Sequence, residues 1–228
     1  IADEHGKARL INYGILETKG HLERINNAIQ TSSLEMLDTE TVDIIVALIK
    51  QVNPRAREVV ASLPAFSAFT AIIDLPDMAA EEVAQAMEYQ AKNIVPIPIS
   101  EITIDWAVIG KKKDQLGNTI QEVFLIAVPN KQIKKYQVIF EKAGLNLRTL
   151  ELETVSLARI LTGGDKTITL VIDIGARSTA MLIAADGVLM HSSQVDFAGT
   201  SLTSALSKGL GINTNRAEEL KKQKGLMG

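Results

Sequence analysis

Val171-Ile172-Asp173-Ile174-Gly175-Ala176-Arg177-Ser178-Thr179 decides the fold of this chain. An aspartate leaves an apolar strand, and a glycine, two small-to-medium residues and a Ser-Thr pair turn the chain into the next strand. Gly175 allows φ > 0 and a close approach of backbone to a ligand. Successive N–H groups in such a turn can cradle phosphate oxygens. Asp173, at the strand end, is placed to hold a hydrated Mg2+ that bridges phosphates. Ser178 and Thr179 add hydroxyl donors. The same nine residues also fit a plain hairpin in which Asp173 caps the turn, and short turn motifs alone do not separate the two readings.

Working outward, Thr167 to Ile174 is a near-continuous apolar strand suited to the centre of a sheet. Thr179–Ala184 and Gly187–Ser193 follow as strands joined by Ala185-Asp186-Gly187, so three strands in meander precede a helix over 200–209. Entering that helix is Val195-Asp196-Phe197-Ala198-Gly199-Thr200-Ser201-Leu202-Thr203. Ala198-Gly199 permits close packing of the helix start, and Thr200 or Ser201 suits an N-cap; an ordinary cap explains this run equally well. A polar helix over 214–224 carries Arg216-Ala217-Glu218-Glu219-Leu220-Lys221-Lys222. Glu218 and Lys221 share a helical face. They suit a ribose hydroxyl or adenine edge, or simply an intrahelical ion pair on a solvated face.

Upstream, Glu153–Leu161 reads as a short helix, broken by Gly163-Gly164-Asp165. Before it lies a module of strand, helix, strand, strand, helix, strand. Phe69–Leu75 is its first strand. Asp77 is the expected cap of a helix with Glu81 and Glu82 in its first turns and Val83, Met87, Ala91 and Ile94 as its buried stripe. Glu101–Gly110 alternates, with Ile102, Ile104, Trp106 and Val108 on one face, and pairs as a hairpin with a strand through Val123, Leu125 and Ala127. A helix follows Pro129 with Ile133, Tyr136, Phe140 and Ala143 on one face, ended by Gly144, and Leu147–Leu152 is the last strand. At the start of the chain, Lys7–Leu16 reads as a strand after an Asp3-Glu4-His5-Gly6 turn. Thr39–Val52 reads as a helix with Val42, Ile45, Leu48, Ile49 and Val52 on one face, ended by Pro54 and followed by a strand over 58–64. Strand–helix alternation of this kind implies an α/β layer.

Composition narrows the function classes. Of the 228 residues, 46% are hydrophobic and 22% charged, with a net charge of −3, so the chain is neither disordered nor a general nucleic-acid binder. There is no cysteine, which excludes disulfides and thiolate metal sites. His5, His21 and His191 are too far apart in sequence to suggest a histidine metal motif. No run approaches the ~20 apolar residues of a membrane span.

Taken in order, the three motifs resemble the second half of the actin-like ATPase fold. Asp-x-Gly-x-x-x-Thr at 173–179 is similar to that fold's second phosphate hairpin, Ala-Gly-x-x-Leu-Thr at 198–203 to the turn into its next helix, and Ala-Glu-x-x-Lys at 217–221 to the adenosine-side helix of its bacterial branch. The module at 66–145 occupies the place where the FtsA and PilM families carry a small βα subdomain. Val60-Ala61-Ser62-Leu63-Pro64, Ile73-Asp74-Leu75-Pro76-Asp77-Met78, Ala91-Lys92-Asn93-Ile94-Val95-Pro96, Ala127-Val128-Pro129 and Ala143-Gly144-Leu145 look closest to the PilM pattern.

The resemblance implies a partial actin-like ATPase (ribonuclease H-like) α/β fold, with a βαββαβ subdomain inserted in place of actin subdomain 2. Residues 1–65 and 146–162 would belong to domain IA, 66–145 to the inserted subdomain IC, and 163–228 to domain IIA with the start of IIB. It implies ATP and Mg2+ as ligands, held by Asp173 (also the metal ligand), Gly175, Ala176, Arg177, Ser178, Thr179, Gly199, Glu218 and Lys221. The implied partner is the N-terminal cytoplasmic peptide of the inner-membrane protein PilN, with other platform proteins beyond it, and self-association is compatible with it. The protein would be cytoplasmic, peripheral to the inner membrane through that partner. Phe66, Phe69, Ile73, Ile97 and Ile99 are candidate apolar contacts for the peptide, with core packing as the alternative role of each.

The family's first phosphate motif, Asp-x-Gly-Ser then Lys, is expected before residue 1, and its Gly-rich adenosine loop beyond Gly228. The chain is therefore expected to hold about half of the nucleotide pocket. A water-positioning group is needed for turnover; the nearest positions, Glu153 and Ser156, match none clearly, so slow or absent hydrolysis is expected. The alternatives are an FtsA-like polymer-forming division protein, a GspL-like secretion platform component, whose family lacks the phosphate motifs, and a sugar kinase, for which no catalytic aspartate and sugar-binding constellation is visible.

Overall fold

Residue 124 lies on a strand that feeds two hydrophobic cores at once, and the fold is best followed from there. The structure, a computed structural model, describes residues 2–4, 7–16 and 38–225. Its elements run β1 (Ala2–Glu4), β2 (Lys7–Arg9), α1 (Asp38–Val52), β3 (Glu58–Leu63), β4 (Phe69–Pro76), α2 (Ala80–Ile94), β5 (Ile102–Lys113), β6 (Thr119–Pro129), α3 (Asn130–Lys142), β7 (Asn146–Leu152), α4 (Glu153–Thr162), β8 (Thr169–Ile174), β9 (Thr179–Ala185), β10 (Val188–Val195), α5 (Gly199–Leu210) and α6 (Thr214–Lys224). The chain divides into two compact units, one of Ile1–Val59, Lys135–Arg148 and Thr200–Gly228, the other of Val60–Lys134 and Thr149–Gly199.

In the second unit, β6 is the middle strand of the antiparallel sheet β4-β6-β5. Its odd residues Val123, Leu125 and Ala127 join Ile73 and Leu75 of β4 under Val83, Met87 and Ala91 of α2. Its even residue Phe124 points the other way and packs with Ala158 of α4 and Leu182, Ala184 and Leu189 of β9 and β10. Both faces are covered, so the run Val123–Val128 is continuously apolar instead of alternating. Burying one such Leu or Met fully contributes on the order of 1.5–3 kcal/mol.

The expected helix α2 opens later than Asp77. Glu82 accepts from the Ala79 amide at 3.0 Å and fixes the start at Ala80, while Asp77 pairs with Lys111 at 2.7 Å. The stripe Val83, Met87, Ala91 is buried as expected, but Ile94 is exposed and Val95, just past the helix, takes the core position. In β5 the apolar stripe stops after Trp106: the register shifts between Val108 and Gly110, and Val108 is exposed. The last strand of the expected module, β7, does not join the β4-β6-β5 sheet and pairs with β3.

The meander β8-β9-β10 forms a separate antiparallel sheet with β9 in the middle. Among the described residues Thr169–Ile174 is thus an edge strand, not the central one its composition suggests. Asp186 (φ 51) and Gly187 (φ 78) make the β9–β10 turn with two positive φ angles, the backbone that Asp-Gly favours in a two-residue hairpin. The turn is tied to the end of α4: Gly187 N–H donates to Thr162 Oγ1 at 3.0 Å and Gly164 N–H to Asp186 Oδ1 at 3.1 Å.

In the first unit, α1 presents the expected stripe, half-buried throughout and nowhere fully buried. The hairpin β1–β2 pairs from Ala2↔Arg9 to Glu4↔Lys7. The expected strand therefore ends at Arg9 and not at Leu16, because no described strand lies beside residues 10–16; His5 and Gly6 of the turn lie outside the described residues. Asn12 Nδ2 instead donates to the Val52 carbonyl at 3.1 Å, at the end of α1. A Cβ on Gly14 would stand 2.4 Å from Val52 Cγ2 and 2.8 Å from Leu48 Cδ1, so any larger residue there would have to push those side chains aside.

Candidate functional site

The candidate site is built where β8 hands over to β9. Gly175 N–H donates to the Ser178 carbonyl at 3.0 Å and closes the turn. Gly175 is not among the positive-φ glycines, so conformational freedom is not the reason for a glycine here. The reason is space: a Cβ would come 3.1 Å from the Ser178 carbonyl oxygen. Asp173 and Ile174 pair with Ala180 and Thr179, which puts the Asp173 carboxylate one pair from the turn, on an exposed edge strand.

The second motif arrives at the same turn. Gly199 N–H, the first residue of α5, donates to the Gly175 carbonyl at 3.1 Å. Ala198 beside it is buried. α5 opens at Gly199, so Thr200 and Ser201 lie within its first turn and do not precede it as caps. Thr179 Oγ1 donates to the Phe197 carbonyl at 2.6 Å. That hydroxyl, expected as a phosphate donor, locks the segment before α5 onto the turn. A backbone bond from Gly199 and the Thr179 hydroxyl thus join 173–179 and 197–199 into one constellation.

Arg177 leaves the turn sideways. Its guanidinium lies 5.0 Å from the centroid of the Phe66 ring, within the range of a cation–π contact. Phe66 sits on the 3-10 turn Ala65–Ser67, where Ala65 N–H donates to Glu153 Oε1 at 2.9 Å. Glu153 is therefore committed to that turn. Ser156, the other expected water-positioning candidate, donates to the Leu152 carbonyl at 3.3 Å.

Glu218 and Lys221 belong to the other compact unit and are held there by a residue the sequence reading did not single out, Thr203 of α5. Lys221 Nζ reaches Glu218 Oε2 at 2.6 Å and Thr203 Oγ1 at 2.9 Å, and Thr203 Oγ1 also donates to Glu218. Thr203 has no exposed surface. Burial pushes the Glu218 carboxyl up, but the Lys221 and Thr203 hydrogen bonds and the charges of Lys221 and Lys222 outweigh it and hold the group below the usual range. The ion-pair reading of these two side chains thus has a packing partner. The signal for Thr203 was its place at the end of Ala-Gly-x-x-Leu-Thr.

The five candidate peptide contacts separate by burial. Ile73 is 6% exposed and belongs to the core under α2, which removes it from the set. Phe69, Ile97 and Ile99 are half-buried against that core, and Phe66 is 51% exposed. Among the described residues, no group of three or more His, Asp or Glu side chains is gathered to hold a metal.

Strand meander, glycine turn and returning helix, with the βα layer of β4, α2, β5 and β6, define an α/β protein with the actin-like ATPase fold. The solved PilM–PilN type IV pilus biogenesis complex shares it, with a TM-score of 0.71 at 22% identity over 83% of this chain. The chain belongs to the family described as type IV pilus assembly protein PilM, whose family model matches residues 22–228. It spans 57% of the length of the chain it matches in that complex. The cytoplasmic domain of EpsL, an inner-membrane component of the type II secretion system of Vibrio cholerae, is a more distant likeness: TM-score 0.48, 12% identity, 73% of this chain and 59% of that one.

Proposed function

We propose that the protein is a nucleotide-binding adaptor of type IV pilus assembly that grips the N-terminal cytoplasmic segment of PilN and so links the inner-membrane platform to the pilus machine. The observation that carries this is the family match across residues 22–228. Among the described residues no helix is long and apolar enough to cross a membrane; in this reading the protein is cytoplasmic and is held at the inner membrane by its partner.

In this reading residues 66–145 are the inserted subdomain, and its border with the preceding domain takes the peptide through Phe66, Phe69, Ile97 and Ile99. The turn at 175–178 and the start of α5 take the phosphates of ATP, with Asp173 toward Mg2+. The ion, when bound, would neutralise phosphate charge. Within its own unit, Glu218 Oε1 lies 3.8 Å from Lys222 and is the oxygen not engaged by Lys221, so Glu218 keeps one oxygen for a ligand hydroxyl. Glu153 accepts the Ala65 amide and Ser156 donates to the Leu152 carbonyl, so in this reading ATP acts as a structural or switching ligand with slow turnover or none.

A fluorescent peptide copied from the first dozen or so residues of PilN, titrated into the full-length protein beside a scrambled control, tests the reading. Saturable binding that the scramble lacks is expected. Equal binding of both peptides, or of neither, would sink the assignment of partner.

A further inference from the structure

Phe66 is a large aromatic ring left half in solvent on a backbone that is held firmly. Ser67 N–H donates to the Pro64 carbonyl at 2.9 Å and closes the 3-10 turn, and Glu153 accepts the Ala65 amide at 2.9 Å from the start of α4. Core packing does not explain the ring: it is 51% exposed, against 5% for Phe124. The Arg177 guanidinium lies over it, 5.0 Å from its centroid. Arg177 in turn lies between Gly175 and Ser178, whose backbone bond closes the turn at 3.0 Å. An arginine side chain free to rotate must give up much rotamer entropy to meet an anion. A guanidinium already resting on a fixed ring has given up part of it.

We propose that Phe66 is a positioning residue for the nucleotide turn: its ring pre-orders Arg177, so that the guanidinium meets a bound triphosphate at lower entropic cost. The inference rests on the reading of 173–179 as a phosphate site and deepens it. The ring would serve the nucleotide with the face that Arg177 covers, while its exposed edge stays available to the peptide. Phe66 touches no phosphate itself, so its effect must vanish when Arg177 is absent.

Calorimetric titration of Mg·ATP into the full-length protein tests this in wild type, Phe66→Leu, Phe66→Met, Phe66→Trp, Arg177→Ala and the double variant Phe66→Leu/Arg177→Ala, with far-UV circular dichroism as the check on folding. Loss of the ring should weaken binding about two- to fivefold, the size of an exposed cation–π contact. Arg177→Ala should weaken it about tenfold, as for a charge-assisted hydrogen bond. Phe66→Trp should restore wild-type affinity, and Phe66→Leu should add nothing to Arg177→Ala. Two non-aromatic variants are used so that a folding defect of one does not decide the result. Wild-type affinity in Phe66→Leu and Phe66→Met, or an equal loss from Phe66→Leu with and without Arg177, would overturn the inference and leave the nucleotide reading standing. A wild-type protein that binds no Mg·ATP would remove both.

Discussion

The runs Val123-Phe124-Leu125-Ile126-Ala127-Val128 in β6 and Thr169-Leu170-Val171-Ile172-Asp173-Ile174 in β8 are close in composition and opposite in surroundings. β6 lies between two strands, with cores on both faces. β8 lies at a sheet edge; Val171 packs toward the core with α4, while Leu170, Ile172 and Ile174 are 61%, 54% and 66% exposed. An apolar run says that a strand tolerates burial on two faces. Whether both are covered depends on elements far away in sequence, and only β6 has them among the described residues. The functional consequence is that the Asp173 turn hangs from an open strand, while the module that presents the candidate peptide contacts rests on the best-packed strand of the chain.

The largest expected effect is in β6. Leu125→Ala, at a position with no exposed surface, should lower the urea-unfolding free energy by about 2–5 kcal/mol; a loss under about 1 kcal/mol would mean that the two-core account of β6 is wrong. Next comes the turn that orders β9 against β10. Gly187→Ala forces a Cβ onto φ 78 and should cost about 1–2 kcal/mol, readable as a lower melting temperature, whereas an unchanged one would show that this turn does not hold the meander.

A smaller effect lies outside both strands and sharpens the contrast with electrostatics. Glu218 has a depressed pKa, so its contribution is present above the unfolded carboxylate pKa and is lost as the pH falls through the folded value. Glu218→Gln should cost less than about 1 kcal/mol at neutral pH and should flatten the loss of stability as the pH falls below the ordinary carboxylate range. Identical acid profiles for variant and wild type would contradict the role of the Lys221–Thr203–Glu218 cluster. The smallest effect belongs to β8: Leu170→Thr should change stability by no more than about 0.5 kcal/mol. A loss above about 1 kcal/mol would break the comparison, because it would mean that this face is covered in solution.

Helices were the most legible part of the fold. Their apolar spacing at Val83, Met87 and Ala91 is local, and so are the prolines and glycines that end them. Sheet order was not legible: β7 pairs with β3, with Arg148 and Glu58 90 positions apart in sequence, and β8 became an edge, outcomes set by long-range pairing that no local pattern encodes. The candidate site was legible as a set of residues but less so as chemistry. Gly175 stands where expected, for reasons of space and not of φ. The Thr179 hydroxyl is turned to the Phe197 carbonyl because α5 returns to the turn. The Phe66–Arg177 contact joins residues from distant segments of the chain and had no signal in either.

The central claim, that the border of the inserted subdomain captures PilN, is tested most directly by hydrogen exchange of the full-length protein with and without the PilN N-terminal peptide. The account predicts slowed exchange at 64–69 and 96–101, with β8 to β10 little changed. Protection confined to β8–β10, or no protection at 64–69 and 96–101 under saturating peptide, would contradict it.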